Sequence, residues 1–351
     1  MVDVPPAWKG VNLKFERSSK IIHRGTGAYI TTPLLIPSFS SKTFGYRTDT
    51  KSELDRIIQY TSEFITRSYL ISTFDIYHEM IPSFDNLPFN VEIMFLDSGG
   101  YECSWNQDYS SVSSSKPITT EWQYHQHQEI VRSWPIDLPS VIVNYDHPTQ
   151  RISIKKQVEQ ANQLFDQCRE HLHLFLIKPE DTSDMTLKQV IEKICDNPKI
   201  LSSFDLVGLT EKELGDTMLS RMESIAKIRV ALDNTGLNIP LHIFGALDPI
   251  SVLLYYTSGA EIFDGLTWLR YAYSNNQCIY INNHSTTEFG LHANDTETKL
   301  RILADNIYVL EELELKMRNF AKSKNYKIFA PHDELVYEAE EALIKQLGGI
   351  L

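Results

Sequence analysis

Residues 140–178 read SVIVNYDHPTQRISIKKQVEQANQLFDQCREHLHLFLIK, a stretch typical of one β–α–β unit. An apolar run, SVIVNYD (140–146), ends on an acid, and a helical pattern follows at 153–172. A second apolar run, HLFLIK (173–178), ends on a lysine. Two apolar runs joined by a helix predict parallel strands, because a parallel connection must return to the same end of the sheet.

The same alternation extends through most of the chain. Further apolar runs lie at 27–37, 91–97, 204–209, 241–247 and 261–269, and further helical patterns lie at 50–70, 119–134, 213–232 and 249–259. Strands that alternate with helices over so many units favour a (β/α)8 barrel (TIM barrel), with an open parallel sheet as the alternative. A dinucleotide-binding fold is disfavoured, since no glycine-rich phosphate motif follows the first strand.

Length and composition limit the class of protein. The chain has 351 residues, 42% of them hydrophobic and 23% charged, which excludes disordered, collagen-like and coiled-coil classes. No apolar run approaches the roughly 18 residues of a membrane helix, and the N-terminus lacks a signal-peptide pattern. Four scattered cysteines exclude a disulfide scaffold. We therefore expect a cytoplasmic protein with no membrane partner.

Charge is distributed unevenly along the chain. The net charge is −13, yet residues 1–70 hold ten Lys or Arg and six Asp or Glu, a local balance of +4. An acidic protein is a poor general ligand of nucleic acid, because phosphate contacts need basic groups. The pattern predicts a basic N-terminal face on an acidic body, with an ordinary solvated charged surface as the alternative.

Polar residues end the predicted strands, where the active site of a TIM barrel lies. The positions selected in this way are Asp97, Asp146, Lys178, Gly208, Gly245 and Asp264. Asp264 follows an apolar Ile-Phe pair, and partial burial raises the basicity of a carboxylate, as a nucleophile requires. Asp146 can accept two parallel N–H bonds, such as those of a guanine edge. Each aspartate, taken alone, is also consistent with a turn or a helix cap.

The motifs, in this order, resemble those of the tRNA-guanine transglycosylase superfamily. These barrel enzymes exchange guanine in a nucleic acid for a 7-deazaguanine. The resemblance covers about residues 15–320 and is carried by TTPLLIP (31–37), FDIYHEMIP (74–82), LDSGGYE (96–102), ITTEWQYHQHQ (118–128), VNYDHPT (143–149), LVGLT (206–210), LHIFGALDP (241–249) and EIFDGLTWLRYA (261–272).

The resemblance implies a role for each matching residue. Asp264 corresponds to the nucleophile and Asp97 to the acid/base. The implied substrate-binding residues are Ser98, Gly99, Asp146, Lys178, Gly208, Leu209, Phe244, Gly245, Asp75 and Arg270. Tyr101 or Phe244 would stack on the base. Lys178 or Pro179 replaces a glutamine of the family and Asp75 replaces an asparagine, which allows a different preference for the incoming base.

The departures from the family concern zinc and the C-terminal region. Members usually bind structural zinc through Cys-x-Cys-x-x-Cys and a distant His. Here only Cys278 lies beyond Asp264, and Asp305 stands in place of the His. We therefore expect no zinc and no cofactor, with a site of Cys278, His284 and His292 as the alternative. The expected architecture is one barrel domain over 1–351 (core about 15–320) with an N-terminal β extension, a reduced C-terminal helical insertion and a helical tail at about 333–351.

The loss of the zinc subdomain, which helps to hold RNA, makes the chain most similar to the branch that inserts 7-deazaguanines into DNA. The expected partners are DNA, a 7-deazaguanine base such as 7-cyano-7-deazaguanine, and a DNA-binding or ATPase helper protein. The alternatives are a tRNA-modifying enzyme, a non-catalytic partner subunit that binds nucleic acid, and a sugar hydrolase of another barrel family.

Overall fold

A computed structural model describes residues 15–44, 50–82, 91–104, 119–181 and 187–348 of the chain. Part of the predicted basic N-terminal face (1–14 and 45–49) lies outside these ranges. The strands of the described residues are β1 (Lys20–Ile22), β2 (Tyr29–Thr31), β3 (Leu34–Pro37), β4 (Ser68–Ser72), β5 (Ile93–Asp97), β6 (Ser140–Val143), β7 (Leu172–Ile177), β8 (Leu206–Thr210), β9 (Leu241–Phe244), β10 (Ile262–Gly265), β11 (Tyr271–Ser274) and β12 (Gln277–Tyr280).

Strands β3 to β10 form one parallel sheet in the order β3-β10-β9-β8-β7-β6-β5-β4. The two end strands of this order also meet. Ser38 and Leu70 form a parallel bridge, and the Phe39 N–H donates to the Leu70 carbonyl at 2.9 Å. The sheet is thus a nearly closed barrel of eight parallel strands, which confirms the predicted (β/α)8 fold.

Helices surround the barrel. They are α1 (Thr50–Thr61), α2 (Thr73–Tyr77), α3 (Tyr124–Ser133), α4 (Ile154–Phe165), α5 (Lys188–Asp196), α6 (Met218–Asn234), α7 (Pro249–Tyr256), α8 (Thr267–Arg270), α9 (Ile281–Phe289), α10 (Asp295–Ser323) and α11 (Asp333–Gln346). Strand β7 shows why the barrel strands are apolar throughout. Its Leu172, Leu174 and Leu176 pack inside the barrel, whereas Phe175 and Ile177 pack under the helices.

The predicted helix over 50–70 is wrong over its last nine residues, 62–70. Helix α1 ends at Thr61, and residues Ser68–Ser72 form β4, the strand that the barrel needs for closure. The sequence pattern did not indicate β4 as a strand, because Ile65 and Leu70 continue the helical spacing of the apolar residues in α1. A short strand buried on both faces has no alternation of its own to separate it from a buried helix.

The N-terminal extension is a hairpin that covers the amino end of the barrel. Strands β1 and β2 pair antiparallel, and their Ile21 and Ile30 pack with the residues inside the barrel. After β10, the chain forms the hairpin β11–β12 and helix α9, and α11 follows the long helix α10. Among the described residues, none of the helices has the length and apolar character that a bilayer crossing requires.

Candidate active site

The carboxyl ends of the barrel strands surround a pocket of about 360 Å³. Asp97 is the last residue of β5, Asp146 lies three residues beyond β6, and Asp264 lies in β10. Since all eight strands run in the same direction, residues far apart in sequence reach the same opening. The structure places in its lining Asp97, Asp146, Lys178, Phe244, Gly245, Asp264 and Arg270 of the predicted site, together with Tyr101.

Asp264 is held by three hydrogen-bond donors. Its Oδ2 accepts from the Ser38 hydroxyl at 2.7 Å. Its Oδ1 accepts from the Gly245 N–H at 3.3 Å and lies 3.0 Å from His242 Nε2. The residue is 5% exposed and still lines the pocket. These three hydrogen bonds orient the carboxylate at the pocket wall. The orientation does not depend on a further charged side chain.

Asp97 is a buried acid of the pocket with a raised pKa. Burial, followed by the charges of Glu102, Asp146 and Asp264, raises its pKa well above the usual range. Its Oδ1 is buried and has no hydrogen-bond partner among the described residues. Asp97 therefore keeps a proton at a higher pH than an exposed aspartate and has one oxygen available to a ligand.

Asp146 has the opposite protonation tendency. Burial by itself would raise its pKa, but the Lys178 ammonium, the Ser98 hydroxyl and the Arg151 guanidinium outweigh burial and lower it. Ser98 Oγ donates to Asp146 Oδ1, and Lys178 Nζ lies 3.6 Å from Oδ2. Asp146 is thus an oriented anion beside a proton-holding acid, a division that suits acid/base chemistry.

Lys178 also binds protein groups. Its ammonium donates to Thr210 Oγ1 at 2.7 Å and lies 3.3 Å from Glu213 Oε2. Arg270 donates to the Tyr101 hydroxyl at 3.1 Å. Both of these cations are therefore fixed by hydrogen bonds before any ligand binds, which favours specific recognition over flexible charge pairing.

The two glycines after Ser98 are needed for packing. Gly99 has φ +89°, and a Cβ there would lie 2.4 Å from Phe74 Cβ. A Cβ on Gly100 would lie 2.5 Å from the Asp146 carboxylate oxygens. Gly100 lines the pocket. The two glycines therefore allow a close approach within the protein itself, of Gly99 to Phe74 and of Gly100 to Asp146.

Five of the predicted substrate-binding residues lie behind the pocket wall, and one of them is Gly99, which packs on Phe74 as described above. Ser98 holds Asp146, as described above. Gly208 lies beneath Phe244, whose ring would be 2.5 Å from an added Cβ. Leu209 points into the layer between barrel and helices. Asp75 is fully buried, accepts the Ser41 N–H at 2.9 Å and is not part of the lining; burial raises its pKa to about 6.

Sequence reasoning missed Ser38, His242 and Glu102. Glu102 lines the pocket, is 4% exposed and has a buried Oε2 without a partner among the described residues. Burial, with the nearby Asp75, raises its pKa to about 8. The signal was available: strand alternation places His242 on the same face as Phe244, two residues further along β9. Ser38 directly follows the apolar run 27–37 and meets the same strand-end criterion, but its contact with Asp264 depends on β10 lying next to β3.

The described residues do not fit the zinc site of the resembled family. Among them, no three His, Cys, Asp or Glu side chains are grouped closely enough to hold a metal ion. Asp305 is exposed on α10, and Cys278, in β12, hydrogen bonds to Asp248. Neither a family model nor a curated protein matches this chain. The function of the pocket must therefore be inferred from its geometry and from the motifs.

Proposed function

We propose that this protein is a transglycosylase that exchanges guanine in DNA for a 7-deazaguanine through a covalent aspartyl–sugar intermediate. The observation that carries the proposal is that Asp97 and Asp264, 167 positions apart in the sequence, line one pocket together with Asp146. The opposite pKa shifts of Asp97 and Asp146 support two separate roles for these acids. Four free cysteines agree with action in the cytoplasm.

The target guanine leaves the base stack, which costs a few kcal/mol, and enters the pocket. Asp146, oriented by Ser98, accepts the N1–H and the N2 amino group of the guanine edge, a pairing for which an anion is required. The rings of Tyr101 and Phe244 line the same pocket and supply apolar surface for the flat base.

The first displacement forms the intermediate. A carboxylate oxygen of Asp264 attacks C1′ of the nucleoside, and the bond between C1′ and the guanine nitrogen breaks with its electron pair going to guanine. Asp97 donates its proton to the leaving base, a step for which its raised pKa is suited. The products are free guanine and an ester between Asp264 and the sugar.

The second displacement regenerates the enzyme. Asp97, now a carboxylate, removes the proton from the ring nitrogen of the incoming 7-deazaguanine, and that nitrogen attacks C1′. The ester bond breaks and its electron pair returns to Asp264. One glycosidic bond replaces another, so the exchange needs no redox cofactor and no nucleotide energy source.

Mass analysis of nucleosides tests the proposal. Purified protein is incubated with 7-cyano-7-deazaguanine and either DNA or tRNA, and the digested nucleosides are analysed. We expect the modified nucleoside from DNA. Asp264→Asn should abolish both incorporation and the trapped protein–nucleic acid adduct, whereas Asp166→Asn, a change at an exposed aspartate, should keep both.

Each other outcome contradicts a definite part of the proposal. Incorporation by Asp264→Asn at the wild-type rate would refute the nucleophile. Incorporation into tRNA alone would show that the polymer is wrong and the chemistry right. No incorporation into either polymer by the wild-type protein would refute exchange by this chain alone and favour the non-catalytic partner subunit or a strict need for the expected helper protein.

A further inference from the structure

His242 lies in the barrel interior beside the proposed nucleophile. It belongs to β9, where it pairs in register with Gly208 on one side and Ile262 on the other, and its side chain is fully buried. Its Nε2 lies 3.0 Å from Asp264 Oδ1, within hydrogen-bond distance. No titratable group other than Asp264 is hydrogen bonded to this ring among the described residues.

The second nitrogen of His242 has no partner. Nδ1 is buried and makes no hydrogen bond within the described part of the chain. Two aromatic rings hold the imidazole: Phe244 stacks on it at a centroid distance of 4.0 Å and an angle of 21°, and Phe95 meets it edge-on at 5.5 Å. A hydrogen on Nδ1 would therefore be unpaired, while the Nε2 lone pair would face a carboxylate lone pair. The geometry selects the Nε2–H form, which donates to Asp264.

The hydrogen-bond donors are divided between the two oxygens of the Asp264 carboxylate. Ser38 donates to Oδ2, whereas His242 and the Gly245 N–H meet Oδ1. A neutral donor orients an anion without neutralising it, so the carboxylate remains a nucleophile. Phe244 lines the pocket and also stacks on His242. The Phe244 ring, which would contact the base, therefore also fixes the His242 ring, which orients Asp264.

We propose that His242 is a positioning residue that orients the Asp264 carboxylate through Nε2–H for attack on the sugar carbon. The inference rests on the proposed function, since it takes Asp264 as the nucleophile. When the incoming base displaces Asp264 from the sugar carbon, the His242 Nε2–H again donates to the released Asp264 carboxylate. His242 does not touch the substrate and exchanges no proton in either displacement.

Two substitutions at His242 separate the hydrogen bond from the packing. His242→Phe keeps a ring between Phe95 and Phe244 but removes the donor. His242→Gln places an amide N–H near the position of Nε2. Rates of adduct formation and of exchange, and KM for DNA, are measured for the wild type, for both variants and for Asp264→Asn, with thermal unfolding to verify that each is folded.

We expect His242→Phe to slow adduct formation about 10- to 100-fold with less than about a threefold change in KM, since a misoriented nucleophile affects chemistry more than binding. His242→Gln should recover most of the rate. A folded His242→Phe that forms the adduct at the wild-type rate overturns the inference, and so does a folded His242→Gln no faster than His242→Phe. A wild-type protein that forms no adduct would instead refute the proposed function.

A second readout does not depend on activity. In ¹⁵N–¹H spectra, the wild-type protein should show a protected, downfield His242 Nε2–H signal that shifts in Asp264→Asn. If the protected proton is on Nδ1, or if the signal is unchanged by Asp264→Asn, the assigned hydrogen bond is wrong, even where the exchange reaction itself is observed.

Discussion

The two ends of the barrel use the same kinds of polar residue in opposite ways. At the amino end, Asp205 accepts the His173 N–H at 2.8 Å and pairs with Arg24. At the carboxyl end, Asp97 and Glu102 are buried, and each has one carboxyl oxygen with no partner among the described residues. Asp205 is completed by the protein itself, whereas the two acids at the carboxyl end have hydrogen-bonding capacity left for a ligand.

The unpartnered oxygens of Asp97 and Glu102 favour chemistry at the expense of stability. An unpartnered buried oxygen lowers stability, typically by about 1–3 kcal/mol. Burial is the largest cause of the raised pKa at both acids, followed by the charge of Glu102 at Asp97 and the charge of Asp75 at Glu102. A fold that keeps two such groups beside one pocket loses stability there, as functional sites commonly do.

Of the substitutions at the two ends, Asp97→Asn should have the largest effect. We expect exchange to fall by about 10²- to 10⁴-fold, because the amide cannot carry the proton between the two bases. The free energy of unfolding should not fall, since a buried acid with a raised pKa is replaced by a neutral group of the same shape. Exchange assays and denaturant unfolding measure both effects.

The matched change at the amino end is Asp205→Asn. It should lower stability and leave the exchange rate of the folded protein close to that of the wild type, because its partners Arg24 and the His173 N–H lie away from the pocket. If Asp97→Asn destabilises the protein more than Asp205→Asn does, the contrast between the two ends is wrong.

A second prediction concerns Glu314, which ties α10 to the amino end of the barrel. Its carboxylate pairs with Arg67 at 2.9 Å and Arg318 at 3.0 Å and accepts the Leu35 N–H at 2.8 Å. Glu314→Ala leaves two arginines and one N–H without their acceptor and should cost about 3 kcal/mol of unfolding free energy.

The control for Glu314 lies on the same helix. Glu312 pairs with Lys316 at the surface, and its side chain is 63% exposed. Glu312→Ala should change stability by less than about 0.5 kcal/mol, as exposed pairs do. Equal losses in the two variants, measured by urea unfolding, would show that Glu314 is no more than a surface pair.

The sequence predicted the barrel and several residues that line the pocket, for physical reasons that also explain what it missed. Strand-end residues such as Asp97 and Asp264 are predictable, because parallel strands bring their carboxyl ends together. Residues such as Ser38 depend on which strand lies next to which, a property of the closed sheet. Leu209 was predicted to hold the base through the backbone near Gly208, and strand alternation turns its side chain outward into the layer between barrel and helices.

A third prediction uses the pH dependence of Glu102. Its pKa is raised to about 8 by burial and by Asp75, so the folded protein holds this proton more tightly than the unfolded chain does. The stability that the proton provides is complete below about pH 4.5 and is lost as the pH rises through about 8. Glu102→Gln removes this loss and should raise stability by about 1–2 kcal/mol at pH 9, with little change at pH 4.5.

Thermal unfolding of the wild type and Glu102→Gln across pH 4.5–9 measures the effect. The exposed Glu129 provides the control, and Glu129→Gln should follow the wild-type curve. Stability curves of wild type and Glu102→Gln that stay parallel over this range would contradict a raised pKa at Glu102.

The smallest expected effect is at the amino end, where His23 of the N-terminal segment meets His171 of the barrel. His23 Nε2 lies 3.2 Å from His171 Nδ1, so one nitrogen donates and the other accepts while the pair is uncharged. Burial, followed by the neighbouring His23, lowers the pKa of His171 to about 4. The unfolded chain therefore binds this proton more readily, and stability falls as the pH drops from about 6.5 to about 4.

Replacing His171 tests this contact with His23. His171→Gln removes one titrating group, and between pH 6.5 and 4.5 its stability should decrease less steeply than that of the wild type, by up to about 1 kcal/mol per pH unit. At pH 7.5 the variant should be slightly less stable, since the His23 contact is lost. If the stability of His171→Gln falls with decreasing pH as steeply as that of the wild type, the His23–His171 pair does not contribute to the pH dependence of stability. The pair would then differ from the acids of the pocket.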